Sequence, residues 1–380
     1  MAAARAVGAM AEMTLETLGW DDGWAAAFAP HAGGGRMPAR VVLEHQHIYR
    51  VHLGDRDVLA RVTGRTRHKL AVREAFPAVG DWVVVRETPG DDMLLVDEVL
   101  PRRSRFVRKA AGQTTEAQVV AANVDVVFLV SGLDQDFNVR RIERYLLTAW
   151  DGGAQPVIVL NKADLHTGGN PADPPPSLRA VLDELAPVAG DTPVELVSAL
   201  AGDSVDRLRA HVGPRRTAAF LGSSGVGKST LINRLIGEDV QRTGEVRAQD
   251  SRGRHTTTHR ELIVLADGSL LIDTPGMREL QLWDAVEGLA GAFADVAALG
   301  DACRFRDCTH DTEPGCAVRA AVAEGRLHPE RLANYLRLAR ELAHTRTQID
   351  ERALADRKRA DRVQSKALRN SYKLRPRDDR

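Results

Sequence analysis

The sequence predicts a multidomain chain: a small N-terminal β-barrel, a central α/β domain around a doubly wound parallel sheet, and a C-terminal helical domain gathered around cysteines. Three observations carry that reading. Short alternating strands separated by turn residues fill about seventy residues from Arg40, with no long helix. Continuous apolar runs then alternate with helical stretches from about Val119, as strands buried on both faces do. Beyond about residue 285 the pattern is helical except where Cys303, Cys308 and Cys316 fall within fourteen residues.

Residues 1–35 form an N-terminal extension: a short apolar, acidic stretch around Leu15 to Phe28, then a glycine run ending at Arg36. It reads as a mobile extension or linker. The barrel spans 36–103. Tyr49, Val51 and Leu53 alternate with Ile48, Arg50 and His52, and Gly54-Asp55 supplies a turn. Val58–Thr63, Trp82–Arg86 and Leu94–Leu100 are further strands, which favours an OB-fold over a β-sandwich. The α/β domain spans 104–285, with buried strands at Val124–Val130, Pro156–Leu160, Val194–Val197 and Ala218–Leu221. A helix over Val139–Ala149 lies between the first two, and Pro171–Pro176 is a surface loop. Leu262–Leu265 and Leu270–Ile272 make a hairpin around Asp267-Gly268. Residues 286–350 form the helical cysteine domain, and 351–380 a basic tail.

Composition narrows the class. With 43% hydrophobic and 27% charged residues, the chain is a soluble globular protein, not a disordered one. No apolar run approaches the ~18 residues of a membrane span, and no signal-peptide core is present, so a cytoplasmic protein is expected. There are 45 Arg and only 7 Lys, a bias of genomic composition, and two of the seven Lys fall inside motifs.

Gly222-Ser223-Ser224-Gly225-Val226-Gly227-Lys228-Ser229 matches the full phosphate-loop pattern between a strand and a helix, with Thr230 following. Glycines let backbone N–H groups curl around a β-phosphate, and the helix N-terminus adds a favourable dipole. Lys228 reaches the β- and γ-phosphates, and the Ser229 hydroxyl ligates Mg²⁺. Asp273-Thr-Pro-Gly276 ends a strand fifty-one residues after Gly222. Its carboxylate serves the magnesium shell through water, and the Gly276 N–H contacts the γ-phosphate. Between them, Gly253-Arg-His255-Thr-Thr257-Thr258 is a first switch loop in which Thr257 or Thr258 ligates magnesium.

Asn161-Lys162-Ala-Asp164 follows a buried strand and fits guanine recognition. Asp164 accepts two hydrogen bonds from guanine that adenine cannot offer. Lys162 packs along the base, and Asn161 ties this loop to the phosphate loop. Ser198-Ala199-Leu200 supplies the remaining contact, to guanine O6. The expected ligands are therefore GTP and GDP. Asn161 precedes Gly222 by sixty-one residues, the reverse of the ordinary GTPase order, so the domain is a circularly permuted P-loop GTPase. The second switch then runs directly into the C-terminal domain.

Cys303, Cys308, His310 and Cys316 offer the four soft donors that structural Zn²⁺ prefers, with no open position for catalysis. Residues 351–380 carry a net +6, from eleven basic and five acidic residues, and the first 350 residues a net −6, from 41 and 47. The zero overall balance thus hides a basic tail suited to RNA phosphate, and Arg102 to Lys109 is a second basic run.

Together, the small barrel, the guanine motif ahead of the phosphate loop, Gly253–Thr258, Asp273–Gly276 and the Cys303–Cys316 donors resemble the ribosome small-subunit-dependent GTPase A (RsgA) family. The resemblance covers about residues 36–350. It implies a monomeric cytoplasmic GTPase that acts late in small-subunit maturation, is stimulated by the subunit to hydrolyse GTP, and contacts ribosomal RNA through the barrel and zinc domain. Met277 stands where many GTPases place a water-orienting glutamine, so intrinsic hydrolysis is expected to be slow. His255 is the candidate to act in its place. Two other classes compete: a GTP-switched RNA-binding protein with a non-ribosomal partner, and a P-loop kinase. Asn161 and Asp164 argue against the kinase.

Overall fold

In the computed structural model, which describes residues 13–45, 48–62, 73–109, 117–166, 175–202, 204–237, 260–273, 289 and 293–343, the first five strands close on themselves. These are β1 (Arg36–His45), β2 (Ile48–His52), β3 (Asp57–Val62), β4 (Trp82–Arg86) and β5 (Leu94–Val99). Strand β1 pairs with β2 and β4, β2 with β3, and β4 with β5, all antiparallel, while β3 and β5 run parallel. The closed order β1-β2-β3-β5-β4-β1 is the five-stranded barrel expected of an OB-fold.

The run Trp82-Val-Val-Val reads as continuously apolar because β4 is buried on both faces. Val83 and Val85 point into the barrel with Tyr49, Val51 and Val96, whereas Trp82 and Val84 join a second core with Leu129 and Ile272. A bulge in β1 between Val41 and Leu43 bends the strand. Beyond it, Leu43 and Glu44 pair with Glu261 and Arg260 of the next domain.

Strands β6 (Arg105–Lys109) and β7 (Ala117–Ala122) form a separate antiparallel pair. The α/β layer follows: β8 (Val126–Gly132), α2 (Val139–Asp151), β9 (Gln155–Asn161), α3 (Pro176–Ala189), β10 (Val194–Leu196), α4 (Val205–Val212), β11 (Thr217–Gly222), α5 (Lys228–Ile236), β12 (Arg260–Val264) and β13 (Leu270–Asp273). The sheet order is β10-β9-β8-β11-β13-β12, continuing through β12 into β1. Pairs β10–β9, β9–β8, β8–β11 and β11–β13 are parallel, and β12–β13 is the antiparallel hairpin.

The N-terminal extension differs from the linker expected of it. Leu18 is fully buried, Trp24 nearly so, and α1 (Asp22–Phe28) is capped by the Asp21 carboxylate, which accepts from the Trp24 N–H. Two arginines fasten the barrel, and the first also holds the extension. Arg40, 2% exposed, donates to Gly80 O, Leu18 O and Thr217 Oγ1, joining barrel, extension and β11. Arg102 forks onto the buried Asp81 carboxylate at 2.6 and 2.8 Å. Gly80 is required where it stands: a Cβ there would lie 2.1 Å from Ala122 O.

Packing groups Met1–Lys109 and Glu116–Gln281 as one unit, and Ala110–Thr115 and Leu282–Arg380 as another. In the second, α6 (Ala294–Gly300), α7 (Ala317–Ala323) and a helix over 329–343 surround Phe293, Val296, Val318 and Leu338. Tyr335 meets Phe293 edge-on at 5.5 Å, and the Arg331 guanidinium lies 4.1 Å from the Phe293 ring centre.

Candidate functional site

Three loops meet at the carboxyl ends of β8, β9 and β11. Register puts them there: Gly132 is opposite Asn161 and Val130 opposite Gly222. That is the crevice where open α/β sheets hold ligands. The phosphate loop leaves β11 at Gly222 and enters α5 at Lys228. Gly225 and Gly227 have φ of +79° and +99°, the left-handed backbone that anion-binding loops use. A Cβ on Gly227 would lie 2.2 Å from Asn161 Nδ2, so the close approach of the guanine loop also demands glycine. Val226 is buried and anchors the loop, while Ser224, Ser229 and Thr230 are exposed. Lys228 Nζ folds over the loop to Gly222 O at 2.7 Å and Ser223 O at 2.5 Å.

Asn161, 2% exposed, holds the other half in place. Its Nδ2 donates to Val226 O at 2.8 Å and its Oδ1 accepts from the Ala199 N–H at 2.9 Å. One side chain thus ties together the phosphate loop, the guanine motif and the Ser198–Leu200 loop. The Ser198 hydroxyl donates to Asp164 Oδ1 at 2.5 Å, which fixes the carboxylate expected to read guanine. The Ala199 N–H is already committed to Asn161. Asp273 closes β13, whose partner β11 leads into the phosphate loop. His255, Thr257, Thr258, Gly276, Met277 and the tail 351–380 lie outside the described residues.

The structure adds a loop that sequence reasoning missed. Residues 133–138, between β8 and α2, carry Asp134, whose Oδ2 is 2.5 Å from Lys162 Nζ, and Asp136, whose Oδ2 accepts from Ser223 Oγ at 2.5 Å. The sequence signal, Asp-Gln-Asp-Phe-Asn, is legible only as a turn and a helix cap: the Asn138 side chain accepts from the Arg141 N–H.

The second cluster is local. The donor atoms of Cys303, Cys308, His310 and Cys316 lie within 4.8 Å of one another. His310 Nδ1 is 3.5 Å from the sulfurs of Cys303 and Cys316, which are 3.9 Å apart. A tetrahedron with metal–sulfur bonds of about 2.3 Å and a metal–nitrogen bond of about 2.0 Å has edges of about 3.5–3.8 Å. The Cys303, His310 and Cys316 separations match three such edges.

The electrostatics agree. Desolvation and the neighbouring Cys316 and Cys303 push the Cys308 thiol up to about 11. Cys303 is lowered, its desolvation outweighed by N–H groups of Val318 and Ala317. Desolvation also lowers His310, favouring the neutral imidazole that binds metal. Three crowded thiols and one neutral imidazole invite a dication. Glu313 braces the loop: its carboxylate accepts from the N–H groups of Thr309 at 2.9 Å and of Asp311 and Thr312 at 3.1 Å.

Fold and site define a P-loop nucleotide-binding domain of permuted order, preceded by a barrel and followed by a Cys₃His cluster among helices. Comparison with known proteins makes this specific. The RsgA GTPase family model matches residues 99–283. The small ribosomal subunit biogenesis GTPase RsgA of Opitutus terrae is 50% identical over 347 residues, covering 89% of this chain and 92% of that protein. Its namesake in Xanthomonas axonopodis pv. citri is 47% identical over 338 residues, covering 87% and 89%. Among solved structures, YjeQ from Thermotoga maritima is similar with a TM-score of 0.58 at 26% identity, covering 81% of this chain and 99% of that one. YloQ, described as a circularly permuted GTPase, is similar with a TM-score of 0.58 at 25% identity, covering 83% and 97%. The chain belongs to the RsgA family and is a GTPase. No helix among the described residues is long and apolar enough to cross a membrane.

Proposed function

We propose that this chain binds the small ribosomal subunit late in its maturation as a cytoplasmic monomer, and that the subunit stimulates it to hydrolyse GTP to GDP and phosphate. The observation that carries the guanine half is Asn161, bonded at once to Val226 O and the Ala199 N–H beside an Asp164 already braced by Ser198. The partner follows from the relatives, which are named as biogenesis GTPases of that subunit.

In this reading Asp164 accepts the guanine N1–H and N2–H, the Lys162 stem lies along the base, and the Ser198–Leu200 loop faces O6. The N–H groups of the phosphate loop hold the β-phosphate, and Lys228 turns from its two carbonyls to the β- and γ-phosphates. Ser229, in the first turn of α5, and Asp273, on the strand beside β11, fit the two sides of a magnesium shell. Bound Mg²⁺ neutralises charge developing on the phosphates. Thr257 or Thr258 completes that shell, Gly276 donates to the γ-phosphate, and His255 assists the attacking water. The Cys₃His cluster holds Zn²⁺ as a structural ion. RNA contacts fall to the barrel, the zinc domain and the basic tail.

GTP turnover measured with and without purified small subunits tests the proposal. Stimulation of tenfold or more is expected by analogy with GTPases activated in trans. An unstimulated rate would leave a GTP switch with a different partner.

A further inference from the structure

The carboxylates of Asp134 and Asp136 have no part in the roles assigned above, yet both face nucleotide motifs. Their loop is bonded to the guanine side at three points. The Leu133 N–H donates to Asn161 O at 2.8 Å, the His166 ring nitrogen Nε2 lies 2.8 Å from Leu133 O, and Asp134 pairs with Lys162. The other end is bonded to the phosphate side: Asp136 accepts from Ser223 and is paired with Arg141 at 2.8 Å. The two carboxylates are linked through one short turn, since Asp134 Oδ1 accepts the Asp136 N–H at 3.0 Å.

Charge sharpens the picture. A bare carboxylate beside a phosphate loop would repel the nucleotide. Here each is neutralised: Asp136 by Arg141, and Asp134 by Lys162, whose hydrogen bond holds the Asp134 carboxyl below its ordinary range. Lys162 also sits at φ +65°, an uncommon backbone for a residue with a side chain, and its ammonium is turned onto Asp134. Both Asp134 and Asp136 are about 30% exposed, so these pairs add little to global stability and act mainly on geometry.

We propose that Asp134 and Asp136 are positioning residues for nucleotide binding, forming a latch that fixes the guanine loop against the phosphate loop. Asp134 holds the Lys162 ammonium so that its stem lies across the base, and Asp136 holds the Ser223 end of the phosphate loop. The inference rests on the guanine reading of Asn161 to Asp164.

The test is GDP binding and release on the full-length chain, using fluorescent GDP, for Asp134→Ala, Lys162→Met and the double variant. Asp134→Ala should release GDP about tenfold faster, the effect of losing one charge-assisted hydrogen bond. It should raise the KM for GTP by more than it lowers kcat. The double variant should be no weaker than Lys162→Met alone. Asp134→Asn, which keeps an acceptor, should be intermediate, and Asp136→Asn should lose less than Asp136→Ala. Penalties that multiply in the double variant would overturn the latch, as would unchanged release from Asp134→Ala when Lys162→Met is weakened. A Lys162→Met protein that binds GDP normally would instead remove the guanine reading, and the latch with it.

Discussion

The nucleotide site and the metal cluster are assembled by opposite routes. Asn161 meets Val226 across sixty-five residues of chain, and it does so because three parallel strands end at the same level. The four metal donors lie within fourteen consecutive residues, and short helices and one braced loop suffice to gather them. The described part of the first site is therefore a product of the finished sheet. The second is a local knot whose crowding opposes ionisation of the Cys308 thiol until a cation enters. A site of the first kind fails by losing chemistry while its fold persists; one of the second kind fails by losing its fold.

Three experiments bear on that contrast, the largest effect first. Removing the metal with a strong chelator, or through Cys308→Ser, should unfold residues 293–343 locally. Structural zinc contributes on the order of ten kcal/mol to comparable small units. Amide exchange would register the loss, while GDP affinity should be retained; a joint loss would show that the two sites are not independent. Next, Lys228→Ala should lower single-turnover GTP hydrolysis by on the order of 10²-fold or more with no change in melting temperature. Concurrent unfolding would break the contrast from the other side.

The smallest effect concerns Glu313. Hydrogen bonds from the Thr309 hydroxyl and N–H lower its carboxyl from 4.5 to about 2. A depressed carboxyl contributes its stabilisation fully above pH 4.5 and loses it as pH falls through about 2. Metal release above pH 4.5 should therefore follow protonation of the thiols and imidazole alone. Glu313→Gln should weaken metal binding by about tenfold, as changes behind a metal ligand do, and shift the release curve without altering its slope.

The legible parts of the site were those whose chemistry dictates residue type. Gly222 to Ser229, Asn161 to Asp164 and the cysteine cluster stand out along the chain because few residues can perform the roles proposed for them. The barrel was legible through alternation and the parallel sheet through runs such as Val126–Val130. Asp134 and Asp136 were not, because their roles depend on β8 lying between β9 and β11, which spacing along the chain does not state. Glu313 was hidden similarly, its partners being backbone N–H groups. Leu18 and Trp24 were misread because a short apolar stretch near a terminus looks the same whether it is solvated or seated in a core. Arg40 looks like any of the 45 arginines until the strands around it are paired, and Arg102, read as part of a basic run, is spent on the buried Asp81.

The pairing of β1 with β12 has a mechanical corollary. The hairpin of β12 and β13 occupies the stretch between residues 251–259 and 274–288, the segments to which the switch roles are assigned. Its outer strand is geared to the barrel by Leu43 opposite Glu261 and Glu44 opposite Arg260, and the Arg260–Glu44 ion pair at 2.8 Å is shielded from water. A strand cannot creep along its neighbour: one residue of slip turns every side chain to the wrong face, so the smallest allowed step is two residues, about 7 Å. Barrel and hairpin thus share a fixed register across these two residue pairs, with no intermediate setting between them.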